Sequence, residues 1–189
     1  LREMYKDVFG RPYIPGSSFK GALRTLLVWG LFEQRNLALR TGELGNSRSW
    51  AGQSVERQLM GSNANYDLGR AVQVADSAPR PTDVLQITNA QVVTGSEKMG
   101  SPIELEAVRQ DTSFTTTVTL DEYLRSERPN RTLNFGEKWD LVGGLPALGR
   151  RWATDYLTRE LAWFRQRKYT RVEQLYGQML GLLQTERVK

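Results

Sequence analysis

The sequence contains no cysteine and no histidine. The first absence excludes disulfides and thiolate metal sites. The second rules out, within this chain, a Ser-His-Asp triad, a Cys-His dyad and a histidine zinc site. No run of eighteen apolar residues occurs, so nothing reads as a membrane-spanning helix. No secretory signal pattern opens the residues given, and the cytoplasm is the expected compartment. Internal repeats and low-complexity segments are missing too. Carboxylate-bound magnesium and Lys or Tyr acid–base chemistry stay open, but no cofactor and no metal site is expected.

What is present is an ordinary globular composition over 189 residues, 39% hydrophobic and 25% charged. Twenty-six Lys and Arg face 21 Asp and Glu, a net charge of +5. That balance leans towards a polyanionic partner, although charge alone is a weak signal. The length fits one domain, or one domain with a helical extension.

Along the chain, Phe19, Leu23, Leu26, Leu27 and Leu31 follow three-four spacing and predict a helix from Ser17 to about Leu39, with Ser17 or Ser18 as N-cap. Thr41 to Gly69 is rich in Gly, Ser and Asn and reads as loop, with a short helix at Ser54 to Met60. The period then changes to two. Strands are predicted at Ala71–Ala75, Val84–Val93, Ile103–Ala107 and Phe114–Leu120, the last two as an antiparallel hairpin in a sheet of at least four strands. Asn130 to Gly144 contains a predicted loop. Helices follow over Leu145–Arg167 and through the stripe from Val172 to Leu183. This order is α+β, with residues 1–121 as the expected domain and 122–189 as a helical extension packed on it.

The run Tyr13-Ile14-Pro15-Gly16-Ser17-Ser18-Phe19-Lys20-Gly21-Ala22-Leu23-Arg24 carries the chemistry. Pro15 and Gly16 turn the backbone. The helix then opens with amides that lack intrahelical partners, two hydroxyls and the positive end of its dipole. Lys20 and Arg24 stand four apart on one face. Gly21 clears bulk where another backbone or a ribose comes close. Together these suit a phosphate. The run is no Walker A loop, because Lys20 precedes Gly21. A plainer reading competes, with ordinary N-caps and a solvated basic face, but it does not explain the two glycines.

This run resembles the hallmark of the RAMP proteins of type III CRISPR systems. Leu59-Met60-Gly61-Ser62 with Gly69-Arg70-Ala71-Val72-Gln73-Val74-Ala75-Asp76-Ser77 is similar to a second family segment. Glu106-Ala107-Val108, Thr112-Ser113-Phe114 and Thr119-Leu120-Asp121 resemble the hairpin that follows it. The resemblance implies a ferredoxin-like (RRM-like) domain. Within the family it points to the non-catalytic subunit of type III-A (Csm) effector complexes at the 3′ end of the guide RNA (crRNA). There the subunit would cap the backbone filament in antiviral defence. The implied partners are crRNA, the RAMP backbone subunits and target RNA, with no membrane. The implied RNA-binding residues are Arg11, Gly16, Ser17, Ser18, Lys20 and Arg24. The family's first strand and its C-terminal glycine-rich segment are not visible, and Leu1 is not Met, so a fold incomplete at both ends is expected.

Two aspartates have alternative readings. Asp76-Ser77, after a strand, suits either a metal or a turn cap, with the cap preferred. Asp7 would serve a backbone-type subunit that cuts target RNA with a metal, but it also reads as a surface charge beside Lys6. Two-metal phosphoryl chemistry wants several converging carboxylates, which the sequence does not assemble. In the tail, Arg150, Arg151, Arg159, Arg165, Arg167, Lys168 and Arg171 alternate with acids and read as a mixed solvated face. Trp152, Trp163 and Phe164 read as core.

Overall fold

The leucine stripe forms the helix that its spacing predicts. The computed structural model describes residues 2–38, 40, 42, 44, 45, 47, 50–91 and 100–185, and its helix α1 runs Gly16–Gln34. α1 stops short of its predicted end because Asn36 adopts a left-handed backbone (φ 48°). The Asn36 amide donates to the Glu33 carbonyl (2.9 Å) and the Leu37 amide to Phe32 (3.2 Å). This is a Schellman stop, which satisfies the last carbonyls. Leu39, the predicted last residue, lies outside the described residues.

Helix α2 (Gln53–Met60) falls where a short helix was predicted. Gly61 ends it at φ 143°, where a Cβ would lie 2.0 Å from the Tyr66 carbonyl oxygen. Two 3₁₀ turns, Ala64–Tyr66 and Leu68–Ala71, lead to β1 (Val72–Val74). Next come β2 (Leu85–Ala90), β3 (Ile103–Val108) and β4 (Val118–Leu120). Val92 and Val93, predicted to end the second strand, lie outside the described residues.

The predicted pairing needs correction. β3 pairs with β2, from Leu85↔Val108 to Ala90↔Ile103, not with the threonine-rich strand after it. Among the described residues the strands form two two-stranded sheets, β1–β4 and the antiparallel β2–β3, in place of one sheet of four. Both edges of β3 are already engaged: β2 takes one, and Arg2 bridges Leu105 in parallel on β3. The Arg2 amide donates to the Glu104 carbonyl (3.0 Å), and the Glu106 amide donates to the Arg2 carbonyl (2.8 Å). The threonine run therefore satisfies its backbone elsewhere. Ala75 donates to the Thr117 carbonyl (3.0 Å) and Ala78 to Thr115 (2.9 Å).

The stretch from Asn130 to Gly144, predicted to contain a loop, has one at residues 134–137, flanked by two short helices. It holds the end of α3 (Glu127–Leu133) and α4 (Lys138–Gly143), joined by a turn with positive φ at Asn134 and Gly136. Both helices are too short for a periodic stripe to show. Helices α5 (Leu145–Gln166) and α6 (Thr170–Gln184) match the tail reading closely. The α+β class holds.

Two compact units divide the chain: Leu1–Ala22 with Val72–Thr119, and Leu23–Ala71 with Leu120–Lys189. They interleave along the sequence, whereas the expected 1–121 and 122–189 division follows chain order. α1 begins in the first and continues in the second. The second unit has most of the apolar core. Leu27, Leu31, Leu59, Met60, Leu68 and Phe135 are all at most 1% exposed. Each such side chain contributes about 1.5–3 kcal/mol relative to exposure. On α5 and α6, Phe164 packs edge-on against Trp163 (4.8 Å) and tilted against Tyr176 (5.3 Å). In the first unit Val72 is buried, but Ile87 on β2 is 70% exposed. Backbone pairing, more than apolar burial, holds that unit.

Candidate nucleic-acid interface

The turn before α1 is anchored by residues sixty positions away. After β1, the Asp76 carboxylate accepts the Gly16 amide (2.7 Å). Ser77 Oγ accepts the Ile14 amide (2.9 Å), and the Ser77 amide donates to the Ile14 carbonyl (3.0 Å). The sequence motifs Pro15-Gly16-Ser17-Ser18 and Asp76-Ser77 are thus one structural unit. Asp76 caps the helix, the preferred reading of that residue. Ser17 and Ser18 lie inside the first turn and do not cap it. Ser77 is 5% exposed, so its hydroxyl belongs to the scaffold.

Gly16 serves the same joint. A Cβ there would sit 2.4 Å from the Val74 carbonyl oxygen and 2.7 Å from that of Ala75. Its missing side chain lets the helix start lie against the end of β1. Gly21 is different: a Cβ would meet nothing within 4 Å, and the residue is exposed.

Capping leaves much of the first turn facing outward. Ser18 and Phe19 amides both point back to the Pro15 carbonyl (3.0 and 3.3 Å). Ser17 and Ser18 are exposed and Lys20 is half-buried. Among the described residues, no carboxylate pairs with Lys20 and no protein group accepts from either hydroxyl. These three side chains form an open donor set on a rigid helix end.

The two arginines of the sequence reading are already engaged. In the second unit, Arg24 Nη1 donates to both oxygens of Asp67 (2.8 Å each), and its Nη2 lies 3.3 Å from Glu56. The Asp67 hydrogen bond raises the guanidinium pKa further, against partial desolvation. Asp67 also accepts the Gly69 amide (2.8 Å), which ties the loop after α2 to α1. Nothing local foretells this, since Asp67 lies 43 residues from Arg24. Nearby, Lys138 is held below the usual lysine range by burial and by the Arg35 charge, with Asp67 opposing.

Arg11 Nη2 meets Asp7 at 2.7 Å, and its guanidinium lies 5.2 Å from the Phe9 ring centre. Asp7 Oδ1 accepts the Phe9 and Arg11 amides (3.0 and 2.9 Å) and Oδ2 accepts Arg11 Nε (2.8 Å). The carboxylate thus closes the turn through Gly10. Desolvation pushes its pKa up, but the Arg11 main-chain and side-chain bonds and the Phe9 amide outweigh it and hold the group low. A group so depressed stabilises the fold above its unfolded pKa, and that contribution disappears as pH falls through the folded value. Asp7 is therefore expected to titrate below the ordinary aspartate value of about 3.9, as read by carboxyl carbon NMR. A midpoint at or above that value would contradict the turn described. Among the described residues no three acidic side chains gather as a cation site.

The tail cations are largely spent within the chain. Arg159 pairs with Asp155 (3.0 Å) and Arg165 with Glu173 (2.9 Å), while Arg151 and Arg167 stack over Trp29 and Trp163. That is the mixed face expected. Trp163 itself is 44% exposed, not the core residue predicted; its ring meets Phe164, Tyr169 and the Arg167 guanidinium.

A family model described as the RAMP superfamily matches residues 1–186. The chain belongs to the RAMP superfamily. Two Mycobacterium tuberculosis proteins, named CRISPR system Cms protein Csm5 in strains CDC 1551 and H37Rv, are 30% identical to this RAMP chain over 133 residues. That alignment covers 64% of this chain and 36% of each relative, so the match spans about a third of their length. Among solved structures, T. onnurineus Csm5 superposes with a TM-score of 0.57 at 21% identity, over 94% of this chain and 57% of that one. A chain of a type III-A Csm–crRNA–target RNA ternary complex gives 0.59 at 20% identity, over 93% and 56%. At those identities the likeness is one of fold.

Proposed function

We propose that this chain is a non-catalytic, cytoplasmic crRNA-binding subunit of a type III-A CRISPR (Csm) effector complex. It binds guide RNA near the 3′ end and caps the filament of RAMP backbone subunits, with target RNA on the assembled complex. The relatives named Csm5 and the fold shared with a Csm–crRNA–target RNA complex support this reading. The observation that carries it is the helix start itself: Ser17, Ser18 and Lys20 stay open while Asp76 and Ser77 lock the backbone beneath them. Sequence readout then belongs to base pairing by the guide, and the protein reads phosphate and shape.

Within the proposed site, Lys20 supplies the open charge and the two serines donate hydroxyl protons. Arg24 and Arg11 are proposed to add positive charge, each partly neutralised by its aspartate. Gly16 builds the site from behind.

Lys20→Ala in the full protein is expected to weaken guide-RNA binding and to flatten its salt dependence by roughly 0.7 in the logarithmic slope, the value for one contact to a single strand. Adding Arg24→Ala should weaken binding further. An unchanged slope in the double variant would rule out this phosphate site. For the non-catalytic part, Asp7→Ala in the assembled complex with magnesium should leave regularly spaced cuts in target RNA intact. Their loss would establish the backbone-type nuclease instead.

A further inference from the structure

Beside the proposed phosphate site, the first unit holds a hollow of about 150 Å³ lined by Ile14, Phe19, Ala75, Ser77, Phe114 and Thr116. Phe19 sits in the chain between Ser18 and Lys20. The residue is 40% exposed, although Leu27 and Leu31 further along the same stripe are buried. Phe114 is half-exposed on the facing wall. The gap between the two rings forfeits dispersion contacts that an occupant would restore. The polar wall is also specific. Thr116 Oγ1 gives its proton to the Ala75 carbonyl (2.6 Å), so it offers only lone pairs to an occupant.

We infer that this hollow receives one nucleobase of the bound RNA, stacked against Phe19, while the phosphate beside that base rests on Ser17, Ser18 and Lys20. This rests on the phosphate reading above and extends it to the base. The volume is of the order of one heteroaromatic ring system without its sugar. Lys20 follows Phe19 by one residue, about 100° round the helix, so a strand crossing this helix end can set a base on the ring and its phosphate on the cation. Stacking on an aromatic face is sequence-tolerant, as a subunit that accepts any guide requires.

The test is equilibrium binding of a short mixed-sequence oligoribonucleotide to the full protein, with a single abasic nucleotide placed at each position in turn. One position is expected to lose roughly tenfold in affinity, the scale of one stacked base. Phe19→Leu keeps an apolar side chain but removes the flat face. It should lose a similar factor, become indifferent to the abasic nucleotide at that position, and keep the wild-type salt slope. Phe114→Leu is the second variant if Phe19→Leu does not fold. A scan with no sensitive position, or a Phe19→Leu variant that retains the position-specific loss, overturns the inference. So does a flat scan in which Phe19→Leu weakens only assembly with other subunits, since the occupant is then a protein side chain. Lys20→Ala separates the two levels. A reduced salt slope with a flat scan removes the base site alone, whereas an unchanged slope removes the phosphate site and the base site with it.

Discussion

Gly16→Ala is expected to destabilise the protein by about 3 kcal/mol, the upper range for overpacking, because the clash is with main chain. The added Cβ would lie 2.4 Å from the Val74 carbonyl oxygen, and that strand cannot yield without breaking its bonds to the threonine run. Gly21→Ala, five residues on, should do the opposite. Its Cβ enters open space, and alanine is favoured over glycine in a helix interior by about 1 kcal/mol. The pair therefore separates two uses of glycine in one motif. If RNA backbone passes over Gly21, the alanine variant is more stable yet binds guide RNA less well. Urea unfolding and RNA titration of both variants make the comparison. A stable Gly16→Ala protein would refute the close joint, and a Gly21→Ala protein with full RNA affinity would refute close approach by the polymer.

The second large effect lies at Phe135, which is 1% exposed in the turn between α3 and α4. Phe135→Ala should cost about 3–5 kcal/mol, the range for emptying a buried aromatic site. The backbone that follows is fixed by the Lys138 amide to the Phe135 carbonyl (2.8 Å) and the Trp139 amide to the Gly136 carbonyl (3.2 Å). Collapse around the cavity is correspondingly limited. The expected readout is a large drop in the urea midpoint with little change in slope. A loss under about 1 kcal/mol would mean that the ring does not anchor this core.

What the sequence made legible follows from how local each signal is. α1, α5 and α6 are long enough for a buried stripe to repeat several times, so their spacing declared them. The helix-start motif was legible because its residue types need one another within twelve positions. Strand existence was readable from alternation, but pairing was not. Whether β3 meets β2 or β4 depends on which edge Arg2 already occupies, and nothing near Ile103 records that. The short helices around Phe135 were hidden behind the Asn134 and Gly136 of the loop that joins them. At the helix start, Ser17 and Ser18 are exposed and Lys20 is half-buried. The engagement of Arg24 by Asp67, and of Gly16 by Asp76, came from carboxylates 43 and 60 residues away. A linear reading sees the cation and the amide but not their distant acids.

The capping bond from Asp76 also bears on which anions this helix end can keep. A carboxylate seated on the first amide discharges part of the dipole before any ligand arrives. A single free ion reaching the serines therefore gains little over water. A polymer offering negative groups at regular intervals gains a little at every residue it passes, and the sum decides. Under the proposed function, such a helix end is expected to discriminate by length, favouring a strand over small solutes.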